Sequence, residues 1–305
     1  MNDAVSDPDL GKAWLETLEH QRRLSRHTLA NYARAVALLL KLKEKINLRD
    51  IDTQRIRHFV ARLHAAGLAG RTLALTLSAW RGLYRWLARQ RGFAANPVQS
   101  VRAPKSPRHL PKALSVEQAQ QLLDGLPAGA AAATPEDLRD RAMFELLYSS
   151  GLRLAELIAL DADDGRLDLK QAEVTVTGKG GKTRTVPVGG RARDALREWL
   201  KARALLATPL EGALFVGARG RRIAPGTVQA RLRSWAKRQG LGASVHPHML
   251  RHSFASHVLQ SSQDLRAVQE MLGHASISTT QIYTHLDFQA LAKVYDAAHP
   301  RARKK

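Results

Sequence analysis

A proline-rich segment at residues 96–113 limits the folds that are open to this chain of 305 residues. A proline lacks the backbone N–H and disfavours helix in the residue before it, so neither a long helix nor a central strand can pass through such a segment. Basic residues lie between its four prolines, as is typical of an extended basic linker: Pro97, Pro104, Pro107 and Pro111. The sequence therefore predicts two domains, residues 1–95 and 114–305, each long enough to bury its own core.

The first domain is predicted to be entirely helical. Apolar residues recur at helical spacing in GKAWLETLEHQRRL, where Trp14, Leu15 and Leu18 are examples, and three further segments up to residue 92 repeat this pattern. The domain shows no alternation of apolar and polar residues, which would indicate strands. Arginines are frequent in the fourth segment, so the domain is expected to be a small, basic helical unit.

The second domain is predicted to be mainly helical with one small β-hairpin. Ser115 and Gln118 have the spacing of a capping box, and Thr134 followed by Pro135 is typical of a helix start. Helices are expected again from Arg191 to the end of the chain. The hairpin is indicated by valines that alternate with polar residues on both sides of a turn rich in glycine and lysine, namely Val174, Val176, Val186 and Val188.

The charge of the chain predicts a polyanionic partner. There are 48 Lys and Arg against 27 Asp and Glu, which gives a formal net charge of +21. Residues 1–110 hold 20 basic and 8 acidic side chains and the rest hold 28 and 19, so the excess is not confined to a tail. A DNA duplex gripped from two sides would explain this distribution, because Lys and Arg neutralise phosphates. A soluble basic protein, such as a ribosome-associated factor, is the alternative that charge alone leaves open.

Composition excludes several other classes. The chain has no cysteine, so it can form no disulfide, thiolate nucleophile or cysteine-ligated zinc site. The apolar run Ala35–Leu40 is far too short to span a membrane, and the acidic first residues lack the apolar core of a signal peptide. We expect a soluble cytoplasmic protein that does not enter membranes.

Six basic or phenolic residues of the second domain are candidates for a functional site. They lie beside glycines, prolines or buried stretches, and they are Arg153, Lys179, His248, Arg251, His274 and Tyr283. Taken one at a time, each has an ordinary structural explanation. Arg153 has the spacing to pair with Glu156, Lys179 suits a solvated turn, and Tyr283 suits packing. The spacing of His248 and His252 also invites a metal site, but no cysteine or nearby carboxylate completes a ligand set, so no metal is expected.

Taken together, the six residues have the composition required for phosphoryl transfer without a metal. Arginine side chains neutralise charge on the oxygens of a pentacoordinate phosphorus. A tyrosine can act as the nucleophile, and a lysine can protonate the departing oxygen. Residue types and spacing thus support a basic two-domain protein with a phosphate site, and they do not define the reaction.

Five segments in a fixed order resemble the tyrosine site-specific recombinases of the phage integrase family. They are SSGLRLAEL, GKGGKTR, HPHMLRHSFASH, LGHASISTTQIYTH and DFQALAKVYDAAHPRA. Within that family the chain is most similar to the Xer branch, whose members resolve chromosome dimers. The resemblance implies a SAM-like helical N-terminal domain and a mainly helical catalytic domain that together enclose DNA.

The resemblance implies that Tyr283 is the nucleophile. In the family, the tyrosine attacks the scissile phosphate, forms a 3′-phosphotyrosyl link and releases a 5′-hydroxyl. Lys179 would be the general acid toward the 5′ oxygen, and His248 would assist proton transfer near the phosphate and the nucleophile.

The remaining residues would bind the phosphate. Arg153 and Arg251 would hold its non-bridging oxygens, and His274 would donate a further hydrogen bond. The family uses no cofactor, metal or ATP, because the phosphotyrosine bond conserves the energy of the broken phosphodiester.

The resemblance also implies the partners. These are double-stranded DNA with a dif-like recombination site and a XerD-like recombinase in a heterotetramer, acting in the cytoplasm at the nucleoid; activation by a DNA translocase of the FtsK type is left open. Phe288, Leu291 and Tyr295 form an amphipathic face that would dock on a neighbouring subunit, with packing inside the chain as the alternative. Two other functions are weighed against recombination, namely relaxation of supercoils by a type IB topoisomerase and non-catalytic, architectural DNA binding.

Overall fold

The chain divides into two compact units, Met1–His109 and Leu110–Lys305. The computed structural model describes residues 6–21, 24–105, 113–124, 133–178, 181–242, 245–273, 294–295 and 297–301. Each unit has its own hydrophobic core, as the length of the chain predicts. The division falls within the predicted linker.

The first unit is helical throughout its described part. It consists of α1 (Asp7–His20), α2 (Arg26–Leu42), a 3₁₀ turn (Leu48–Asp50), α3 (Thr53–Ala65) and α4 (Gly70–Arg91). The side chains of Ser6, Ser25 and Asp52 cap the first three helices by accepting from backbone N–H groups. Two aromatic side chains of α4 are buried with their polar atoms paired: Trp80 Nε1 donates to the Ala35 carbonyl and the Tyr84 hydroxyl donates to that of Leu48.

The first residues of the predicted linker pack against α4. Val98 and Val101 are buried in the core of the first unit. Arg81 of α4 donates to both of their carbonyls, and the side chain of Asn96 donates to the Arg81 carbonyl. Residues 96–101 therefore belong to the helical unit, and residues 106–112 lie outside the described part of the chain.

The second unit surrounds the buried helix α6. Both predicted helix starts are confirmed, because Ser115 and Gln118 exchange backbone-to-side-chain hydrogen bonds and Thr134 caps a helix with proline in its first turn. The helices of this unit are α5 (Val116–Asp124), α6 (Pro135–Ser150), α7 (Leu154–Ile158), α8 (Gly190–Arg203), α9 (Pro225–Arg238), α10 (Pro247–Ser262) and α11 (Leu265–Leu272).

Between α7 and α8 the chain forms a three-stranded antiparallel sheet. Its strands are β1 (Leu167–Asp168), β2 (Glu173–Thr177) and β3 (Thr183–Pro187), in the order β1-β2-β3. Val174 pairs with Val186, and the alternating valines of both strands are buried, which confirms the predicted hairpin. The short strand β1 was not expected.

The prediction of helices from Arg191 to the end of the chain is wrong for residues 204–224. Proline and glycines at positions 209, 212, 217 and 220 interrupt this region, and it forms two isolated bridges, Asp161 with Ala213 and Val216 with Arg222. The Glu211 carboxylate accepts hydrogen bonds from the backbone N–H groups of Ala213 and Arg222, which stabilises the turn. Among the helices described, none combines the length and apolar character needed to cross a bilayer.

Candidate active site

A tight turn after α6 places Arg153 at the candidate site. Gly151 ends α6 in the left-handed conformation with φ of 58°. An added Cβ would lie only 2.4 Å from Cδ1 of Phe254, so the turn requires glycine for both its dihedral angle and its packing. Arg153 then precedes α7, where its backbone N–H donates to Oε2 of Glu156 at 2.8 Å. The glycine of the segment SSGLRLAEL therefore fixes the turn that places Arg153 at the start of α7.

Glu156 lies at the centre of the site and is buried. Nη1 of Arg153 donates to its Oε1 at 2.8 Å, and Nη1 and Nη2 of Arg184 donate to Oε1 and Oε2, each at 2.8 Å. Burial alone would raise the pKa of this carboxyl, but the hydrogen bonds and charge of Arg184, together with the hydrogen bonds of Arg153, lower its pKa to about 2. Glu156 is therefore ionised at neutral pH. The ion pair expected from the spacing of Arg153 and Glu156 is present, and it forms part of a larger cluster.

Arg251 reaches the same cluster from α10. Its guanidinium donates to the carbonyls of Gly151 and Leu272, and its Nη1 lies 4.0 Å from Oε2 of Glu156. Burial and the neighbouring charges of Arg153 and Arg184 lower the pKa of Arg251 to about 10, so it stays positively charged at neutral pH. The two arginines expected to bind a phosphate, which are distant in sequence, are thus brought together by the fold.

Three arginines hold the last carbonyls of α11. Nε of Arg184 donates to the carbonyl of Met271 at 2.8 Å, Arg251 donates to that of Leu272, and Nη2 of Arg153 is 3.5 Å from that of Gly273. The carbonyl end of a helix carries partial negative charge, which positive side chains stabilise. Gly273 ends α11 in the left-handed conformation. The chain leaves the cluster at this glycine, immediately before His274.

The β-hairpin approaches the cluster from another side. A Cβ added to Gly178 would lie 3.6 Å from Oε1 of Glu156 and 3.7 Å from Nη1 of Arg153. The turn that carries Lys179 therefore starts beside these two residues. Lys179 itself, together with His274 and Tyr283, lies outside the described residues, so the roles of all three stay predictions.

The histidines at the start of α10 are exposed. Pro247 stands in the first turn, and His246 caps the helix by accepting from the N–H of Met249. His248 is exposed while Arg251, one turn later, is buried, so the two side chains differ in environment. The rings of His246 and His248 are 6.5 Å apart. Within the described ranges, no group of three or more His, Cys, Asp or Glu residues is placed to hold a metal ion.

The described C-terminal residues pack within the second unit. Tyr295 is buried, its hydroxyl lies 2.7 Å from that of Ser149, and its ring stacks on His299 with centroids 4.8 Å apart. Arg301 donates to both carboxylate oxygens of the buried Glu145. For Tyr295 the alternative of packing inside the chain is therefore the observed one. The other two residues of the predicted docking face, Phe288 and Leu291, lie outside the described residues.

Sequence comparison assigns both units. The profile of the Phage integrase family matches residues 112–290, and that of the Phage integrase N-terminal SAM-like domain matches residues 12–91. The chain belongs to the phage integrase family. This confirms the resemblance predicted from the five segments and the mainly helical fold with a SAM-like N-terminal domain.

Individual members of the phage integrase family are similar over nearly the whole chain. Tyrosine recombinase XerC 1 of Ralstonia nicotianae is 54% identical, covering 99% of this chain and 96% of the relative. Tyrosine recombinase XerC of Pseudomonas aeruginosa is 53% identical, with 96% and 95% covered. The crystal structure of the XerH site-specific recombinase bound to difH substrate, a pre-cleavage complex, has 26% identity and a TM-score of 0.67, covering 97% of this chain and 85% of that one. As a tyrosine recombinase, the chain is a DNA strand-transfer enzyme.

Two residues of the site in this tyrosine recombinase were missed or undervalued from sequence. Helical spacing indicates Glu156 only as an ordinary partner of Arg153, although it contacts three arginines. Arg184 is not among the six residues that the sequence indicates. Its signal was present in β3, where it occupies the same inward-facing phase as the buried Val186. An arginine at an inward position of a strand requires a buried partner, and that partner is Glu156.

Proposed function

We propose that this protein is a site-specific recombinase that cuts and rejoins DNA through a 3′-phosphotyrosyl intermediate. The observation that carries the proposal is the meeting of Arg153 and Arg251 around Glu156, at the end of the helix that leads into His274 and Tyr283. Lys179 follows a hairpin residue that borders the same cluster. The described neighbours of Lys179 and His274 thus border the cluster formed by Arg153, Arg251 and Glu156, which supports a single site in the second unit.

The charge of the cluster matches the proposed reaction. Three guanidinium groups surround one carboxylate, which leaves two net positive charges. A phosphodiester carries one negative charge and a deprotonated tyrosine brings a second, so the pentacoordinate species formed by attack carries two. Preorganised positive charge aimed at such a species is usually the largest contribution to catalysis.

In the proposed chemical step, residues of the chain itself accept and donate the protons that are transferred. The phenolic oxygen of Tyr283 forms a bond to phosphorus while its proton passes toward His248. The bond from phosphorus to the 5′ oxygen breaks, its electron pair stays on that oxygen, and the Lys179 ammonium protonates it. Arg153, Arg251 and His274 hold the non-bridging oxygens. Attack by the 5′-hydroxyl of another strand reverses the step and joins the strands without ATP.

The relatives support a finer proposal for the substrate. Identity above 50% to XerC recombinases over nearly the whole chain supports a dif-like DNA site, resolution of chromosome or plasmid dimers, and action at the nucleoid in the cytoplasm. A XerD-like recombinase would complete a heterotetramer on this DNA. The net charge of +21, shared by both parts of the chain, suits such a duplex.

A suicide substrate tests the proposal directly. The substrate is a duplex recombination site with a nick beside the scissile phosphate, so that the 5′-hydroxyl fragment leaves and the covalent adduct accumulates. We expect the wild-type protein, with a XerD-like partner, to form an adduct stable on a denaturing gel. Tyr283→Phe should bind the duplex with wild-type affinity and form none, whereas Tyr295→Phe should still form it. An adduct on Tyr283→Phe would remove Tyr283 from the role of nucleophile.

A second assay separates recombination from the alternative enzyme. A type IB topoisomerase would relax a supercoiled plasmid that lacks any recombination site. We expect no relaxation of such a plasmid and recombination of one that carries two sites in direct repeat. Relaxation of both plasmids without exchange would contradict the proposed function.

A further inference from the structure

We infer that Arg184 is a positioning residue of the active site, which neutralises Glu156 so that Arg153 and Arg251 keep their charge for the DNA phosphate. The inference rests on the proposed function, because it assigns Arg184 a part in the same phosphate site. Arg184 is assigned no contact with the phosphate, because all three nitrogens of its guanidinium donate to the Met271 carbonyl and to the two carboxylate oxygens of Glu156. It acts through Glu156.

The geometry of Arg184 is that of a dedicated counter-ion. Its two terminal nitrogens face the two carboxylate oxygens of Glu156, each at 2.8 Å, in the parallel arrangement that makes arginine–carboxylate pairs strong and directional. The Arg184 side chain is 7% exposed and that of Glu156 is 3% exposed, whereas that of Arg153 is 35% exposed. The buried Arg184 therefore pairs with the buried Glu156, and the more exposed Arg153 is partly open to solvent.

The charge balance explains why the site needs a third arginine. Without Arg184, the ionised Glu156 would be left with Arg153 and the more distant Arg251 as its partners. One carboxylate would then cancel one of the two charges available to the phosphate, and the net charge of the cluster would fall from two to one. A carboxylate in this buried position would otherwise weaken the binding of any anion beside it.

Arg184 also fixes the place where the chain turns toward His274. Its Nε donates to the Met271 carbonyl, and a Cβ added to Gly273 would lie 3.0 Å from Cδ of Arg184. The same side chain thereby connects α7, through Glu156, with the last turn of α11. A lysine would carry the charge but could not form the paired contacts to Glu156 and the third contact to Met271 together.

Single-turnover cleavage of the suicide substrate measures the effect of Arg184→Met. We expect the rate to fall roughly 10- to 100-fold, less than the ~100- to 1,000-fold loss typical when a donor that touches the reacting group is removed. The matched control is Arg197→Met, which removes an exposed arginine of α8 paired with Asp194 and should cleave at the wild-type rate. Duplex binding and thermal unfolding, measured on each variant, report whether it is folded.

A second substitution at Glu156 tests the charge argument. Arg184→Met combined with Glu156→Gln restores two net positive charges and leaves no unpaired buried carboxylate. We expect this double variant to cleave at least about tenfold faster than Arg184→Met, and Arg184→Lys to fall between Arg184→Met and the wild type. An ion pair that only supports the fold would also be rescued in this way, so the thermal unfolding of both variants is compared with their cleavage rates.

The substrate provides a readout that a structural role would not move. A methylphosphonate at the scissile position is neutral, so the pentacoordinate species made from it carries one negative charge instead of two. The rate defect of Arg184→Met should shrink at least about tenfold on this substrate, because fewer positive charges are then required. A defect in folding or in placing the nucleophile would be the same on both substrates.

These outcomes separate the inference from the proposed function. If the wild-type protein forms no covalent adduct, both fall. If the wild type cleaves and Arg184→Met cleaves at the same rate, only the inference falls. It falls as well if Arg184→Met is slow but is neither rescued by Glu156→Gln nor relieved on the methylphosphonate. Rescue together with relief establishes the positioning role.

Discussion

The hydroxyl of Tyr295 lies 2.7 Å from that of Ser149, whose oxygen also accepts the backbone N–H of Gly189 at 2.7 Å. This contact joins the C-terminal segment to the end of α6 and the start of α8. A Cβ on Gly189 would lie 2.6 Å from the Tyr295 hydroxyl, so the glycine is what allows this hydroxyl to approach the backbone. Burial lowers the pKa of the adjacent His299 to about 3, which keeps its stacked ring neutral at physiological pH. The last described residues are thus part of the core of the second unit.

The ion pair between Arg301 and Glu145 should dominate the stability of this C-terminal contact. Burial raises the pKa of the Glu145 carboxyl, against the opposing effect of Arg301. We predict that Arg301→Met lowers the free energy of unfolding by roughly 3–5 kcal/mol, because it leaves a buried carboxylate without its partner. Adding Glu145→Gln should recover most of the loss in urea unfolding. Equal instability of the single and double variants would show that packing, not charge, governs the contact.

The pKa of Glu156 predicts a dependence of stability on pH. Its value of about 2 in the folded protein lies below the ordinary 4.5, so the folded state binds fewer protons than the unfolded state between these values. The stabilisation is fully present above pH 4.5 and is lost as the pH falls toward 2; it amounts to roughly 3 kcal/mol. The difference in unfolding free energy between wild type and Glu156→Gln should shrink by about this amount across the window. A constant difference would contradict the ion-pair cluster.

Gly151 should be far less tolerant of substitution than an exposed glycine of similar conformation. Gly151→Ala adds the strain of a left-handed residue to a collision with Phe254, together roughly 2–5 kcal/mol. Gly165→Ala, with φ of 72° and no atom within 4 Å of the added Cβ, should cost only the ~1–2 kcal/mol of strain. Cleavage should slow only for Gly151→Ala, because the Gly151 carbonyl accepts from Arg251. Equal losses of stability would show that the phenylalanine ring moves aside.

Lys179 is predicted to act as the general acid, which a modified leaving group can test. Lys179→Ala should slow cleavage of ordinary DNA roughly 10²- to 10⁴-fold. On DNA with a 5′-bridging phosphorothiolate the defect should nearly vanish, because the sulfur leaving group needs little protonation. Lys182→Ala removes an exposed lysine from the same hairpin and serves as the control. An undiminished defect on the sulfur substrate would remove Lys179 from this role.

Local sequence signals predicted the elements of the fold well. The cap at Thr134 and the capping box at Ser115 each depend on a few neighbouring residues, and both are present. The alternating valines predicted the hairpin correctly because their pattern is also local. For residues 204–224 the local signal, a proline and three glycines, was present but was not used, and the bridge from Ala213 to the distant Asp161 has no local signal.

The candidate site shows the same division between local and long-range information. Motif order identified Arg153 and Arg251, and the structure brings them together. Motif order could not identify Arg184, whose position matters only because β3 folds against α7. The exposure of His248 beside the buried Arg251 likewise depends on what packs against α10, which helical spacing alone does not define.

The paired contact between Arg184 and Glu156 also couples the evolution of two positions that are distant in sequence. A lineage that loses the arginine first inherits a buried, uncompensated carboxylate, and one that loses the glutamate first inherits two buried cations pressed together. Each single step is disfavoured, while the paired change is tolerable. Across diverged recombinases, these two positions should therefore change in concert, and a chain that has replaced one should carry a matching replacement at the other.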